Sequence, residues 1–251
     1  MLHRRRGLPA NWLEIVEDHV AVWRFLDDEE REVIEGFTDW LLRHKHWEAA
    51  NGFELVDEIT VTIAVQAALL VLGRSVDDYR EVSAIIVYPA AMQSGGVYAG
   101  PVSGTVTDGP VPIIGEAHDR RGPVLLAWDE AEEAARTLGS GHNVVFHEFA
   151  HKLDMWDGMI DGTPRLERRE DRERWVEVCT AAFDALRSGI ARPPLQPYGA
   201  TDPAEFFAVA TEAFFDVPVA LERNEPDLYM VLSGFYRQDP AERFRKPMRS
   251  L

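Results

Sequence analysis

The chain is short of several things, and each shortage removes a class of protein. It has one cysteine, Cys179, among 251 residues. It therefore makes no internal disulfide and no cysteine cage for a metal. The longest apolar stretch runs only from Val61 to Leu72 and carries Thr62 and Gln66. Spanning a bilayer takes roughly 20 apolar residues, so no membrane partner is expected. Basic residues are scarce beside acidic ones: 26 Lys plus Arg against 43 Asp plus Glu, a formal net charge of −17. A field of that sign repels phosphate backbones, and direct nucleic-acid binding is not expected. The isolated Arg4-Arg5-Arg6 run reads as a solvated terminus, and Asn11 to Asp18 supplies no apolar segment for secretion. The expected location is cytoplasmic. No internal repeat or low-complexity tract is visible. With 7 Trp, 12 Phe and 6 Tyr the chain must bury a core, so an acidic disordered chain is excluded.

What is there reads as helices around a small sheet, an α+β chain. Trp12, Ile15, Val16, His19, Val20 and Trp23 recur at helical spacing. Asp27 or Asp28 caps a second helix with Val33, Ile34, Phe37, Leu41 and Leu42 on one face. Val61 to Leu72 is apolar nearly all round and reads as a buried helix, although its β-branched start also suits a strand. Gly73 stops it, and Ser75 with Asp78 suggests a capping box. Strands are expected over 84–88 and 124–128, with turns and brief strands over 93–123, among them Val111 to Ile114. Helices are expected from Asp129 to about Leu138, from His142 or Asn143 onward, and over 168–187, 203–215 and 222–238. One domain is expected over 1–251, with a helical part to about residue 80 and a catalytic core over about 81–240.

The strongest chemical signal is His147-Glu148-Phe149-Ala150-His151, within a stretch from Asn143 to Leu153 that has no Gly or Pro. On a helix, residues four apart share a face one turn apart, so both imidazoles point the same way. Two neutral imidazole nitrogens so placed can bind one Zn²⁺ at about 2.0–2.1 Å each. Glu148, the next residue, can act on a water beside the metal without ligating it. Two solvent-facing histidines on an ordinary helix would give the same spacing. However, Val144, Val145, Phe149 and Leu153 argue for burial, where unpaired imidazoles are costly.

A hydrolytic zinc site needs a third protein ligand and an open position. One metalloprotease subclass supplies a glycine three residues and a histidine six residues after the second histidine. This chain has Asp154 and Asp157 there, and none of its 8 His lies beyond His151. The third ligand must then be a carboxylate if it lies downstream. Asp202-Pro203-Ala204-Glu205 opens an apolar helix that also carries Glu212. These two share a face but stand about 10.5 Å apart along the axis, too far for one metal to take both. Glu205 also suits a capping-box position, and Glu212 suits either a solvated face or an acceptor for a ligand imidazole. Spacing leaves the choice open. Asp154, near the same face as His151, suits either an imidazole acceptor or a helix-end surface carboxylate. Strand 124–128 either offers an edge to an extended peptide or is fully paired. Cys179 reads as a core thiol.

The chain resembles the Mlc titration factor A family of bacterial zinc metallopeptidases, related to the gluzincin-type peptidases. The likeness runs through Ile86-Val87-Tyr88-Pro89, Gly115-Glu116-Ala117 and Gly122 to Trp128. Its most specific parts are His147 to Asp154 and Tyr198 to Phe207. The resemblance implies a zincin-like fold with a small sheet packed on the zinc helix, and one Zn²⁺ per chain held by His147, His151 and Glu205. It implies Glu148 as the catalytic acid/base and Tyr198 as the residue that stabilises the oxyanion. By itself Tyr198, between Pro197 and Gly199, reads as a packing tyrosine in a turn. The implied activity is peptide hydrolysis, aminopeptidase-like on short peptides. The alternative that the resemblance carries is a regulatory protein that sequesters a transcriptional repressor, with weak or vestigial peptidase activity. A purely structural zinc site fits poorly, because closed sites usually have four protein ligands, often Cys.

Overall fold

The computed structural model describes residues 7–50, 52–90, 121–190 and 193–248. Arg4 to Arg6, Val111 to Ile114, Gly115 to Ala117 and most of the expected turns over 93–123 lie outside the described residues. Among the described residues the chain is mostly helical with one three-stranded sheet, which bears out the α+β reading.

The first helix, α1 (Trp12–His19), is shorter than its apolar spacing predicts. Val20 is extended, and a 3₁₀ turn follows at Ala21–Phe25. The break swings Trp23 back onto Trp12, edge to face at 5.9 Å, and buries it almost fully. Helix α2 (Asp28–His44) starts at a capping box: Asp27 accepts from Glu30 N, and Glu30 accepts from Asp27 N. Acids fill its first turn and Arg43 and His44 its last, matching the helix dipole. The apolar stretch is helical, as its composition suggests. Helix α3 (Asp57–Leu70) is buried on every side from Val61 to Leu70, with α1, α2 and the histidine-bearing helix packed around it. Gly73 then passes against the end of a later helix, where a Cβ would lie 2.4 Å from the Arg237 carbonyl oxygen. Ser75 accepts from Asp77 N above a 3₁₀ turn (Val76–Tyr79), in place of the expected box with Asp78.

The sheet holds β1 (His46–Ala49), β2 (Ala84–Tyr88) and β3 (Val124–Ala127), all parallel and in chain order. Strand β1 carried only a faint sequence signal: His-Trp-Glu-Ala alternates polar and apolar, but over just four residues and without a β-branched side chain. It pairs with β2 from His46 opposite Ala84, and α3 supplies the crossover that parallel neighbours require. Among the described residues nothing pairs with the far edge of β3. Ile85, Val87, Val124 and Leu126 are buried, and β3 lies against the histidine-bearing helix.

After β3 come α4 (Trp128–Arg136), α5 (Val144–Asp154) and α6 (Arg169–Arg187), then α7 (Pro203–Asp216). Trp128 belongs to α4 and not to the strand. The single helix expected over 222–238 is instead the end of α8 (Pro218–Asn224) and then α9 (Pro226–Tyr236), with α10 (Pro240–Arg245) beyond it. Each opens on a proline, which has no N–H to lose at the first helical position and forbids helix in the residue before it. One connected hydrophobic core joins residues from Ile15 to Ala241. Among the described residues no helix is long and apolar enough to cross a membrane.

The chain leaving α5 is pressed onto the first turn of α7. Gly162 has φ +74°, and a Cβ there would lie 2.2 Å from the Pro203 carbonyl oxygen. Its N–H donates to Asp154 at 2.9 Å, and its carbonyl accepts from Trp175 Nε1 at 2.9 Å. Gly162→Ala combines left-handed strain with a backbone overlap. It is expected to cost about 2–4 kcal/mol in urea unfolding.

Candidate metal centre

Helix α5 is fixed first at its N-terminus. Asn143 caps it by accepting from Phe146 N at 3.0 Å. The Asn143 amide in turn donates to Gln66 on α3 at 2.8 Å, and Gln66 donates to the carbonyls of Thr62 and Ala131. A capping side chain is thus tied to two other helices. On α5, Val144, Val145, Phe149 and Leu153 are buried in the core, as are His147 and His151. Glu148 is half-buried.

Helix α7 is buried from Ala204 to Asp216, acids included. Asp202 caps it by accepting from Ala204 N and Glu205 N. Glu205, Glu212 and Asp216 are seven and four residues apart, so all three lie in one narrow stripe. Each is spent on α5 or the loop before it. Asp216 accepts from Gly139 N at 3.1 Å and Gly141 N at 2.5 Å, where both glycines have positive φ. Glu212 Oε2 accepts from Asn143 N at 2.6 Å, and His142 Nδ1 stands 2.7 Å from the same oxygen. Glu212 Oε1 lies 2.7 Å from His147 Nδ1. Glu205 lies 3.0 Å from His147 Nε2 and 3.6 Å from His151 Nε2.

These distances set the two glutamates on opposite sides of His147. Glu212 sits on the back of His147 and Glu205 on the front. The two Nε2 atoms are 3.2 Å apart, and one donor atom from each of His147, His151 and Glu205 falls within 4.8 Å of the others. A tetrahedron with bonds of about 2.0–2.1 Å has edges of about 3.3 Å, so the nitrogens already stand at the spacing of two ligands on one zinc. The chemistry of the trio agrees. With the Nδ1 proton of His147 facing Glu212, its Nε2 offers only a lone pair, toward the lone pairs of Glu205 and His151. Glu205 Oε2 is buried with no hydrogen-bond partner. Converging acceptors in a dry place need a cation. Without a metal the surroundings favour a proton: burial lowers the basicity of His147, but Glu205 and Glu212 together outweigh it. Burial likewise opposes ionisation of Glu205, and His147 and His151 override it.

Tyr198 stands beside this centre on a 3₁₀ turn (Pro197–Ala200), its ring 6.0 Å from that of His147. Gly199 lets the turn lie on α7: a Cβ there would be 3.2 Å from Val209 Cβ. Burial, then the carboxylates of Glu205, Asp202 and Glu148, push the Tyr198 phenol far above its usual range. It stays a hydrogen-bond donor.

A model of the glucose-regulated metallo-peptidase M90 family matches residues 1–237. The chain belongs to that family. Among its relatives are an uncharacterised protein of Synechocystis and proteins called Mlc titration factor A. The first is 36% identical over 239 residues, covering 94% of this chain and 86% of the relative. The Mlc titration factor A of Pectobacterium atrosepticum is 33% identical over 226 residues, covering 88% and 83%. That of Serratia proteamaculans is 31% identical over 227 residues, covering 88% and 85%. The M90 family is one of metallo-peptidases, which implies a metal ion, and His147, His151 and Glu205 are this chain's buried candidate for it.

For this M90 chain, His147, His151 and Glu205 come together, with Glu148 on the same helix and Tyr198 alongside. Asp154 instead anchors Gly162 of the following loop, and the carboxylate behind a candidate ligand is Glu212. Cys179 packs against the core, and burial pushes its thiol up to about 12, which disfavours the thiolate. A second trio, His19, Glu58 and Glu132, is less buried, and the Arg136 guanidinium takes the cation's place 2.7 Å from His19 Nδ1. Sequence reasoning missed His142, Asp216 and Gln66. The signal for Asp216 was present: a third acid in register on an otherwise apolar helix.

Asp216→Ala strands the N–H groups of Gly139 and Gly141. It is expected to lower stability by about 2–3 kcal/mol in denaturant unfolding, clearly more than Asp227→Ala on the surface.

Proposed function

We propose that this chain is a zinc-dependent peptidase of zincin-like architecture, with one Zn²⁺ per chain held by His147, His151 and Glu205. The observation that carries the reading is the convergence of those three buried side chains beside Glu148. Bound there, zinc would supply Lewis acidity toward a water and the scissile carbonyl. Glu148, half-buried next to the first ligand, accepts the proton of the attacking water and delivers it to the leaving amine. Tyr198 keeps its proton and donates to the carbonyl oxygen as negative charge grows on it. Glu212 and the core behind α5 hold His147 still while this happens. Among the described residues the far edge of β3 is unpaired, and it would suit an extended substrate lying alongside the helix. Short peptides with a free amino terminus are the substrates that the family resemblance favours.

A second reading is supported by the relatives' name, which says that those proteins titrate Mlc. We propose that this chain also binds a transcriptional repressor. Its net charge of −17 suits a basic, DNA-binding partner surface. Such an association weakens steeply as salt rises from low to physiological strength. Binding that survives Glu148→Gln unchanged would separate this role from catalysis.

The peptidase reading is tested by metal content and turnover together. Wild type is expected to carry about one zinc per chain, and Glu205→Ala to lose it. Glu148→Gln should keep the zinc and lose at least about 10²-fold in kcat, and Tyr198→Phe should keep it and lose about 10²-fold. Full turnover in a zinc-loaded Glu148→Gln protein sinks the mechanism. Equal cleavage of free and N-acetylated peptides sinks the aminopeptidase assignment alone.

A further inference from the structure

Three side chains run in line from the surface to the metal centre. His142 leads, with 50% of its side chain exposed. Its Nδ1 lies 2.7 Å from Glu212 Oε2, and Glu212 Oε1 lies 2.7 Å from His147 Nδ1. Glu212 is 2% exposed and His147 3%, so only the outer end of the line meets water. The backbone N–H of Asn143 gives Oε2 a second donor at 2.6 Å.

The terminal torsion of a glutamate is soft, so a carboxylate points where its partners hold it. Here Oε2 is held by the helix cap on one side and by an imidazole on the other. With that oxygen fixed, Oε1 is fixed too, directly behind the candidate ligand. A carboxylate in that place selects the tautomer that leaves Nε2 free to ligate, and it strengthens that nitrogen as a donor. Glu130, from α4, also faces His142 and favours its charged form, while burial and His147 oppose it. His142 sits in the loop that Asp216 pins through Gly139 and Gly141, so its reach to Glu212 is set by the same helix.

We propose that Glu212 is the positioning residue for His147 and that His142 holds Glu212 in place, so that a surface histidine sets how tightly the buried centre keeps its metal. This rests on the zinc-centre reading above and deepens it.

The test is the zinc affinity of the full chain, read by competition with a chromogenic chelator, with the visible spectrum of the cobalt(II) form read in parallel. Glu212→Gln is expected to bind zinc about 10–100-fold more weakly. His142→Ala should bind about 3–10-fold more weakly and shift the cobalt spectrum, the loss of one supporting hydrogen bond. His142→Asn, which restores an N–H near the place of Nδ1, should recover most of that loss. Wild-type affinity in His142→Ala overturns the role of the surface histidine, and wild-type affinity in Glu212→Gln overturns the whole proposal. If Glu212→Gln does not fold, nitrogen-15 histidine spectra of the zinc-loaded wild type and His142→Ala decide. A proton on His147 Nδ1 whose resonance moves in the variant supports the proposal, and an unmoved resonance overturns it. A wild type that binds no zinc overturns the metal-centre reading itself, an outcome distinct from a zinc-binding wild type with indifferent variants.

Discussion

The contact between α5 and the acidic stripe of α7 is the constraint on which the site depends. Burying three carboxylates on one helix is costly unless every one is partnered. Glu212 and Asp216 find their donors in the loop and cap that start α5, and Glu205 converges with the two histidines that α5 carries on a place for a cation. The acids of one helix therefore fix where the other begins, how it is rotated and which face its imidazoles present. An apolar contact of equal area would hold α5 close but would leave its rotation free. Hydrogen bonds with a direction supply what hydrophobic burial does not.

The rest of the fold backs that contact from behind. Helix α3 is buried on all sides and reaches the α5 cap through Gln66. Strand β3 lies against α5, and the loop that leaves α5 is held by Asp154 and Trp175 onto the start of α7. Both ends of the histidine helix are thus tied to the helix that bears Glu205. A site fixed in this way needs little movement of its protein atoms to accept a metal. The 3.2 Å between the two Nε2 atoms says the same in one distance.

Much of this was legible in the sequence, for physical reasons that differ by element. The histidine helix was readable because its spacing is chemical and its neighbours are apolar. The buried helix α3 was readable from composition, since a segment apolar on all sides has nowhere to go but the core. Strand β1 was hardly readable: its alternation spans only four residues without β-branching, and its conformation rests on long-range pairing with β2. The helix expected over 222–238 failed at Pro226 because apolar spacing was followed through a residue that ends helices. Helix α1 stops at His19, where Val20 turns extended and Trp23 folds back on Trp12. His142 was invisible for a different reason. A lone histidine before a helix cap means nothing until a glutamate seventy residues later is placed against it.

Spacing alone left Glu205 and Glu212 as rivals for one metal, because two helical turns separate them by about 10.5 Å. The structure turns that separation into a division of labour. An imidazole has two nitrogens on opposite sides of its ring, and His147 stands between the two acids with one nitrogen toward each. The seven-residue spacing that forbids both acids from sharing a metal is what lets them share a histidine. One acid then faces the open side, where a cation is needed, and the other faces the protein, where a proton is enough. The charges follow the same logic. Buried carboxylates around neutral imidazoles call for positive charge nearby, which His142 offers Glu212 and a divalent metal would bring to Glu205. On this view Glu212 belongs to the centre electrostatically although it touches no metal. Among the described residues, the acidic buried helix α7 and the buried pair His147 and His151 are two halves of a single requirement.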